Sequence, residues 1–236
     1  MTKVPYPKQI QTFSNQINIL KQRGLAIADE PEAEAWFRKV SYYRMSGYWF
    51  EDANLFIHQP QHIRTLSSIQ DEYRRSDEQF VRSFRLKYSD PLPPSWITLE
   101  ITSFGTMSII YQNLKSGLPK RDVAAAFGVS DTVFASWLHT LVYIRNICAH
   151  HARLWNRTLG VRPLMPRRPH RTFITQPATN TQRVYFVLAI IRYWLNIIEP
   201  GNSLTQDLKT LFSNYPGVYP GALGFPNHWQ QEPLWM

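Results

Sequence analysis

Apolar residues recur at helical spacing along most of this chain, and the pattern is clearest in residues 137–157. Because an ideal α-helix turns by about 100° per residue, one broad face of this stretch is apolar and carries Trp137, Leu138, Leu141, Ile144, Cys148, Ala152 and Trp155. We expect this face to pack on a hydrophobic core. The opposite side of the predicted helix carries polar residues at spacings of four, three and four, namely Asn146, His150, Arg153 and Arg157.

Arg145 lies inside the apolar stripe of this helix, which is unusual for an arginine. A guanidinium keeps its charge, and burying it without a partner costs several kcal/mol. We therefore expect Arg145 to meet an anionic group, or an interface that holds water or ligand. On one straight helix Arg145 and His150 point about 140° apart. A kink, or a second copy of the helix, is needed to bring them together.

Other stretches predict further helices and no strand of useful length. Apolar spacing predicts helices near residues 10–20, over 62–88, from Ser95 to about Tyr111, and over 183–198. The last of these has an apolar line made of Val184, Val187, Leu188, Ile191, Leu195 and Ile198. The predicted fold class is an all-α bundle. We expect an N-terminal helical region at residues 1–90 and a main helical domain at 91–236, or one continuous domain.

The chain after Asn214 is rich in proline, glycine and aromatic residues. Prolines disfavour a long helix there. We expect this tail to wrap the core through four aromatic side chains, which are Tyr219, Phe225, Trp229 and Trp235.

Composition narrows the class of protein. With 236 residues, of which 44% are hydrophobic and 14% aromatic, the chain can bury a sizeable core. Its formal net charge of +9 favours a polyanionic partner, most simply a nucleic acid. The single cysteine excludes an internal disulfide. There is no signal-peptide core and no run of about 18 apolar residues, so we expect a cytoplasmic protein without a membrane partner.

Two stretches could contact RNA. After the helical stretch, a proline-rich loop concentrates basic residues, and its candidate phosphate contacts are Arg157, Arg162, Arg167, Arg168 and Arg171. The alternative is an exposed basic loop with no partner. In residues 42–49, Arg44 lies among aromatic side chains that could stack bases while Arg44 holds a phosphate. Packing of these rings is the more common reason for such a block.

Residues 121–138 read as two short helices around Gly128, as in a helix-turn-helix motif for DNA binding. A recognition helix needs polar side chains near its start, whereas Val133, Phe134 and Trp137 occupy that region here. We interpret this segment as two packed helices and keep a DNA-binding regulator as an alternative.

Residues 145–150, RNICAH, resemble the Arg-x4-His motif of HEPN-domain ribonucleases, in which a polar residue often follows the arginine. The wider chain resembles the Abi-like (AbiD/AbiF type) abortive-infection proteins of bacteria. The matching blocks, in order, are SYYRMSGYWF at 41–50, WITLEITSFGTMS at 96–108, SWLHTLVYIRNICAHHARLWNR at 136–157 and GFPNHWQQEPLW at 224–235.

This resemblance implies a HEPN-like bundle that forms a homodimer and acts as a metal-independent endoribonuclease in anti-phage defence. Some members of the family associate with a small noncoding RNA, so the resemblance also implies RNA as a regulatory partner. RNA supplies its own nucleophile, the 2′-hydroxyl, and we expect no cofactor. His150 suits the role of base or acid, and Arg145 suits charge stabilisation on the phosphorane. Asn146 would position His150 or the substrate, with His151 and Arg153 in support.

Two alternatives to catalysis stay open. The protein could be a non-catalytic RNA-binding or sensing module that uses the same basic surfaces. Arg145 and His150 could also serve a buried polar interface without chemistry. A metal site is disfavoured, because His150 and His151 diverge on a helix and lack nearby carboxylates.

Overall fold

The computed structural model describes residues 12–22, 27, 29–31, 33–34, 55–89, 93, 95–176 and 179–236. These residues form helices and loops and no strand of a sheet, apart from isolated bridges such as the antiparallel pair of Phe56 and Leu114. The predicted all-α class is confirmed. The chain divides into two compact units, residues 1–115 and 116–236, which we call the N-terminal unit and the C-terminal unit. The boundary that we expected after residue 90 lies inside the N-terminal unit.

The described helices of the N-terminal unit are α1 (Phe13–Gln22), α2 (Gln59–Arg75), α3 (Gln79–Lys87), α4 (Ser95–Ile101) and α5 (Phe104–Asn113). The prediction of one helix over residues 62–88 is wrong, because the backbone leaves helical geometry at Ser76 (φ −68°, ψ 128°). The side chain of Ser76 accepts a 3.4 Å hydrogen bond from the N–H of Glu78, and short polar side chains compete with helical bonding in this way. After the break Val81 and Phe84 are buried, whereas Phe80 stays 38% exposed.

The core of the N-terminal unit lies where α2, α3 and α4 meet. Tyr73, Val81 and Phe84 are buried together, with Tyr88, Ile97 and Ile101 packed against them. A carboxylate joins α5 to α2: Glu72 accepts hydrogen bonds from the N–H of Ser103 (2.8 Å) and the hydroxyl of Thr106 (3.0 Å). A negative charge at this helix start is also favoured by the helix dipole.

His62 is the buried histidine of this unit. Its ring stacks on Phe56 with centroids 3.7 Å apart, and the residue is only 6% exposed. Its Nε2 has no hydrogen-bond partner among the described residues. Because burial penalises the charged imidazolium, the pKa of His62 lies below its ordinary value of 6.5.

The helices of the C-terminal unit are α6 (Leu118–Ala126), α7 (Asp131–Ala149), α8 (Val184–Ile198) and α9 (Leu204–Asn214), followed by short 3₁₀ helices at Pro220–Leu223, Trp229–Gln231 and Pro233–Trp235. The core of this unit is mainly aromatic. Trp137 of α7 is fully buried, and its ring lies 5.2 Å from Phe173 and 5.7 Å from Tyr193 and Trp194, measured between ring centroids. Tilted and edge contacts of this kind add about 1 kcal/mol each beyond simple burial.

Helix α7 ends earlier than predicted and buries a different face. It starts at a cap in which Ser130 Oγ accepts from the N–H of Val133 at 3.4 Å, and it ends at Ala149 instead of continuing to residue 157. Its buried side chains are Val133, Phe134, Trp137, Thr140 and Ile147. Of the face expected in the core, Leu138, Leu141 and Ile144 are half-buried, and Cys148, Ala152 and Trp155 are exposed. More than half of the helix circumference is apolar, so spacing alone did not decide which sector faces inward.

The same ambiguity affects α8. Its buried side chains are Tyr185, Phe186, Val187, Ala189, Ile190, Tyr193 and Trp194. Most of the line predicted from Val184 onward is only half-buried, and Ile198 is 66% exposed. Both sides of α8 are apolar, and the side with the aromatic rings faces the core because it removes more apolar area from water.

The loop between α7 and α8 runs back along α7. The N–H of Gly160 donates to Tyr143 Oη at 3.2 Å. Further on, Leu164 accepts from Trp137 Nε1 at 2.8 Å through its carbonyl, and the N–H of His170 donates to Gly128 O at 2.9 Å. The loop therefore follows α7 from its last turns to its start.

The C-terminal tail packs on the core as predicted, with one exception. Phe225, Trp229 and Trp235 are 5%, 6% and 0% exposed. Buried Glu232 fixes the tail to the α7–α8 loop by accepting from the N–H (3.0 Å) and the hydroxyl (2.8 Å) of Thr175. The exception is Tyr219, which is 69% exposed.

Candidate functional site

Arg145 and Asn146 lie on the exposed side of α7 in its last two turns. Nη1 of Arg145 donates a 3.1 Å hydrogen bond to Oδ1 of Asn146. The apolar stripe in which Arg145 lies along the sequence is not the buried face: the buried sector of α7 runs through Trp137 and Ile147 and leaves Arg145 in solvent. Its other N–H donors make no hydrogen bond to a described residue, so the guanidinium is oriented and still able to bind an anion.

His150 and His151 form the turn that ends α7, and both are exposed. The N–H of His151 donates to Cys148 O and the N–H of Ala152 donates to Ile147 O, each at 3.0 Å. These two bonds make a Schellman motif, which places a left-handed residue, usually glycine, just after the helix end. His151 takes that position with φ 52°. An L side chain there costs about 1–2 kcal/mol, and backbone strain of this kind tends to collect at functional sites.

The helix contains no kink that would turn Arg145 toward His150. It runs without a break from Asp131 to Ala149, and the N–H of His150 still donates to Asn146 O at 3.0 Å. On such a helix the Cα–Cβ directions of Arg145 and His150 differ by about 140°, and the guanidinium of Arg145 reaches Oδ1 of Asn146, four residues before His150.

An arginine that we did not select from the sequence fixes the chain beyond this turn. Arg183 donates from Nη2 to Asn156 Oδ1 at 3.1 Å and from Nη1 to Thr158 Oγ1 at 3.4 Å, and Nη2 also donates to Ala222 O. A side chain at Gly224 (φ 87°) would collide with Arg183. Arg183 thus ties the segment after the motif to the tail. A lone arginine before an apolar helix gave no signal of this role.

The remaining candidates near the turn are arginines. Arg153 is exposed, and Arg157 is half-buried and donates from Nη1 to Arg153 O at 3.4 Å. These contacts leave both charges without a carboxylate partner among the residues that the structure describes.

The basic loop is exposed as predicted. Arg162, Arg167, Arg168 and Arg171 are all exposed. Arg162 donates to Gln182 Oε1 at 3.0 Å from Nη2, and Arg171 donates to Asn196 O at 2.7 Å from Nη1. Arg167 and Arg168 have no hydrogen bond or ion pair with any part of the chain that is described. Two arginines are therefore held in place, and two extend into solvent between them.

The charge of the protein is unevenly distributed. Residues 116–236 contain twelve Lys and Arg against five Asp and Glu, a formal charge of +7, whereas residues 1–115 contain fourteen against twelve, a charge of +2. Residues 132–198 contain nine arginines, no lysine and no acidic residue. Arginine binds phosphate through paired N–H donors. The formal positive charge of this stretch thus comes from arginine alone.

The structure argues against a DNA-reading helix in residues 121–138. Val133, Phe134 and Trp137 are 8%, 5% and 0% exposed, so the side of α7 that a recognition helix would offer lies in the core. In its first turn α7 carries the acidic Asp131, which would repel a DNA backbone.

Three further points concern Arg44, a metal site and a membrane-spanning helix. Arg44 and the aromatic block around it lie outside the described residues. Among the residues that are described, no three His, Cys, Asp or Glu side chains lie together as a metal site would require. No described helix has the length and apolarity needed to cross a membrane.

The comparisons with known proteins identify one similarity. No curated protein and no solved structure matches the chain. Residues 49–156 match the model of a protein family described as Abi-like protein, and this range holds α2 to α7 together with Arg145, Asn146 and His150. Over these residues the chain is similar to the Abi-like family, which supports the resemblance predicted from the sequence.

Proposed function

We propose that this protein is a cytoplasmic abortive-infection protein that cuts RNA as a metal-independent, HEPN-type endoribonuclease. The match to the Abi-like family over residues 49–156 suggests the role in anti-phage defence. One observation carries the enzymatic part: Arg145, Asn146 and His150 are exposed together at the end of α7, inside a stretch of nine arginines and no acidic residue.

The proposed reaction is attack of an RNA 2′-hydroxyl on the adjacent phosphorus. The bond from phosphorus to the 5′-oxygen breaks, which leaves a 2′,3′-cyclic phosphate and a 5′-hydroxyl end. His150 takes the proton of the 2′-hydroxyl or gives one to the departing 5′-oxygen, since an imidazole exchanges protons near neutral pH. Arg145 stabilises the negative charge that builds on the phosphorane oxygens. Asn146 orients the guanidinium of Arg145 by accepting a 3.1 Å hydrogen bond from it.

The complete site forms between two copies of the chain in this proposal. The two residues leave the unbroken helix about 140° apart, and a second copy of α7 would bring His150 of one chain to the phosphate that Arg145 of the other chain holds. In a two-fold dimer the α7 helices meet end to end, and each copy lends its residues to a shared cleft. Each of the two symmetric sites in this cleft pairs Arg145 of one copy with His150 of the other.

RNA binding outside the cleft falls to the basic loop. This loop runs back along α7, away from the turn formed by His150 and His151, and carries Arg162, Arg167, Arg168 and Arg171. Near that turn lie two further arginines, Arg153 and Arg157. Such a surface suits a substrate strand, and it also suits a regulatory noncoding RNA bound to the same protein.

The test is cleavage of labelled single-stranded RNA by the purified full chain in EDTA, with analysis of the product ends. We expect cyclic-phosphate and 5′-hydroxyl ends from the wild type, and a loss of at least about 100-fold in Arg145→Ala and His150→Ala. His139→Ala is the matched control, since His139 is exposed on the same helix. Equal cleavage by all four proteins would point to a contaminating nuclease and contradict the assignment.

The shared site is tested by mixing two inactive variants. A mixed dimer of Arg145→Ala and His150→Ala contains one cleft with an intact pair, so random exchange should restore about a quarter of the wild-type activity. No recovery, with mixed dimers shown to form, would place both residues of each site in one copy.

A non-catalytic RNA-binding module is the second candidate, favoured by the same acid-free run of arginines. It predicts tight RNA binding without cleavage, and binding that is unchanged in His150→Ala.

A further inference from the structure

Tyr219 is an aromatic side chain that the fold leaves in solvent. It is 69% exposed, whereas Phe225, Trp229 and Trp235 of the same tail are at most 6% exposed. Exposing a tyrosine ring in this way forgoes the stabilisation that burial of the ring would give. The groups near Tyr219 therefore decide what kind of ligand can bind to the exposed ring.

The Tyr219 ring lies against the backbone of Gly221. A Cβ atom built on Gly221 would lie 2.5 Å from Cζ and 2.6 Å from Cε1 and Oη of Tyr219. The ring thus rests against the Cα of Gly221, where only a glycine leaves room. The N–H of Ala222 donates to Tyr219 O at 3.0 Å and closes this 3₁₀ turn. Gly221 thus covers one side of the ring, and the rest of the ring is accessible to a flat ligand.

The same turn is anchored beside the candidate site. Nη2 of Arg183 donates both to Ala222 O and to Asn156 Oδ1. Two acceptors that share one nitrogen lie within about 6 Å of each other. The turn that carries Tyr219 therefore adjoins the segment after His151, and the arginines of that segment are Arg153 and Arg157.

We propose that Tyr219 is a base-stacking residue that binds an unpaired base of the RNA close to the phosphate that is cut. Every base has a flat face that stacks on a tyrosine ring, and the stacked nucleotide must be single-stranded, because a duplex covers those faces. Arg153 and Arg157 hold the neighbouring phosphates. This inference rests on the proposed function and assigns single-stranded RNA as the substrate of that site.

The experiment uses the full chain and a short 2′-O-methyl RNA that contains 2-aminopurine. The methyl group blocks the nucleophile, so binding is measured without cleavage, and stacking on an aromatic ring quenches 2-aminopurine fluorescence. We expect quenching with the wild type and with Tyr219→Phe. In Tyr219→Ala we expect little quenching and about tenfold weaker binding. Gly221→Ala should lose quenching as well, although the tyrosine is still present, because the added methyl group displaces the ring.

Tyr215→Ala is the matched control, since Tyr215 is 59% exposed and lies four residues earlier; it should bind and quench as the wild type does. Undiminished quenching in Tyr219→Ala, or no quenching with the wild type, overturns the stacking assignment. The unmodified RNA is assayed for cleavage in parallel. If RNA is cleaved but quenching does not depend on Tyr219, the stacking role is wrong and the proposed ribonuclease function stands. If quenching depends on Tyr219 but RNA is not cleaved, the ribonuclease function is wrong and the stacking role stands.

Discussion

The hydroxyl of Tyr193 in α8 donates a 2.9 Å hydrogen bond to the carbonyl oxygen of Gly128, in the turn between α6 and α7. The same carbonyl accepts from the N–H of His170 at 2.9 Å, and Tyr193 Oη accepts from the N–H of Arg171 at 3.4 Å. Burial raises the pKa of Tyr193 above its ordinary value of 10.0, so the hydroxyl keeps its proton at neutral pH. One buried peptide oxygen thus joins the start of α7, the basic loop and α8.

Gly128→Ala should destabilise the protein by about 2 kcal/mol or more. Gly128 has φ 67°, and a Cβ there would lie 2.5 Å from Tyr193 Oη and 3.3 Å from His170 Cβ. Thermal unfolding measures the effect, and each kcal/mol lowers Tm by about 2–4 °C in a protein of this size. Gly217→Ala is the control, since no atom lies within 4 Å of a Cβ at Gly217.

Tyr193→Phe, measured in the same way, separates two causes of the Gly128→Ala destabilisation, which are the collision with the Tyr193 hydroxyl and the backbone strain at φ 67°. Alone it should cost about 1 kcal/mol, because it removes the hydrogen bond to Gly128. Combined with Gly128→Ala it should cost less than the sum, because the colliding hydroxyl is gone. Strict additivity, or a Gly128→Ala protein as stable as the wild type, would contradict the geometry of this turn.

His151→Gly should stabilise the protein by about 1 kcal/mol, because glycine adopts φ 52° without the steric cost of a side chain. The rise in Tm is measured by thermal unfolding. His150→Gly is the control and should not stabilise, since His150 has φ −90° and gains nothing from glycine. A lower Tm for His151→Gly would mean that its side chain makes stabilising contacts that outweigh the strain.

The stability of the protein should fall as the pH drops below about 6.5, and His62 should account for part of the loss. Burial holds the pKa of His62 below 6.5, so between the folded pKa and 6.5 the unfolded chain binds more protons at this residue than the folded chain does. The free energy of unfolding therefore rises with pH across that window and loses this contribution as the pH falls through it. Denaturant unfolding at pH 5 and pH 8 measures the difference.

His62→Phe should reduce that pH dependence, because phenylalanine keeps the stack on Phe56 and carries no proton. His139→Gln, a change at an exposed histidine, serves as the control and should leave it unaltered. The same pH dependence in His62→Phe as in the wild type would assign the effect to other groups.

Removing Arg167 and Arg168 should weaken RNA binding and lower its salt dependence. Each phosphate contact to a single strand contributes about 0.7 to the slope of log affinity against log salt, so the double change to Gln should lower the slope by about 1.4 if both contact phosphate. Neither arginine bonds to a described residue, and Tm should stay unchanged. Arg74→Gln, which removes a cation paired with Asp71 at 3.5 Å, is the control. An unchanged slope would show that the two arginines are only solvated.

The positions of glycines, prolines and polar residues allowed several local features to be predicted from the sequence. The non-helical basic loop and the tail that returns to the core follow from local preferences that tertiary contacts did not override. The exposure of the basic loop follows from charge, because burial of so many unpaired arginines would be prohibitively costly.

The sector that each helix turns inward was not predictable in the same way. Helices α7 and α8 are apolar around most of their circumference, so spacing offered two acceptable faces. Packing selected the one with Trp137 and Ile147, or with Tyr185 and Tyr193, which fills the core best. The stripe that contains Arg145 was expected to pack on the core for this reason, and Arg145 lies in solvent instead.

The sequence by itself determined which residues are the candidates for the proposed chemistry: Arg145, Asn146 and His150 are close along the chain, and their spacing needs no structure to be recognised. Only the tertiary structure decided that α7 ends at Ala149, that Arg183 fixes the segment beyond it, and that the Tyr219 ring rests on Gly221. Local spacing fixes relations within one helix, whereas a contact such as the one between Arg183 and Asn156 depends on residues that meet only after the chain has folded.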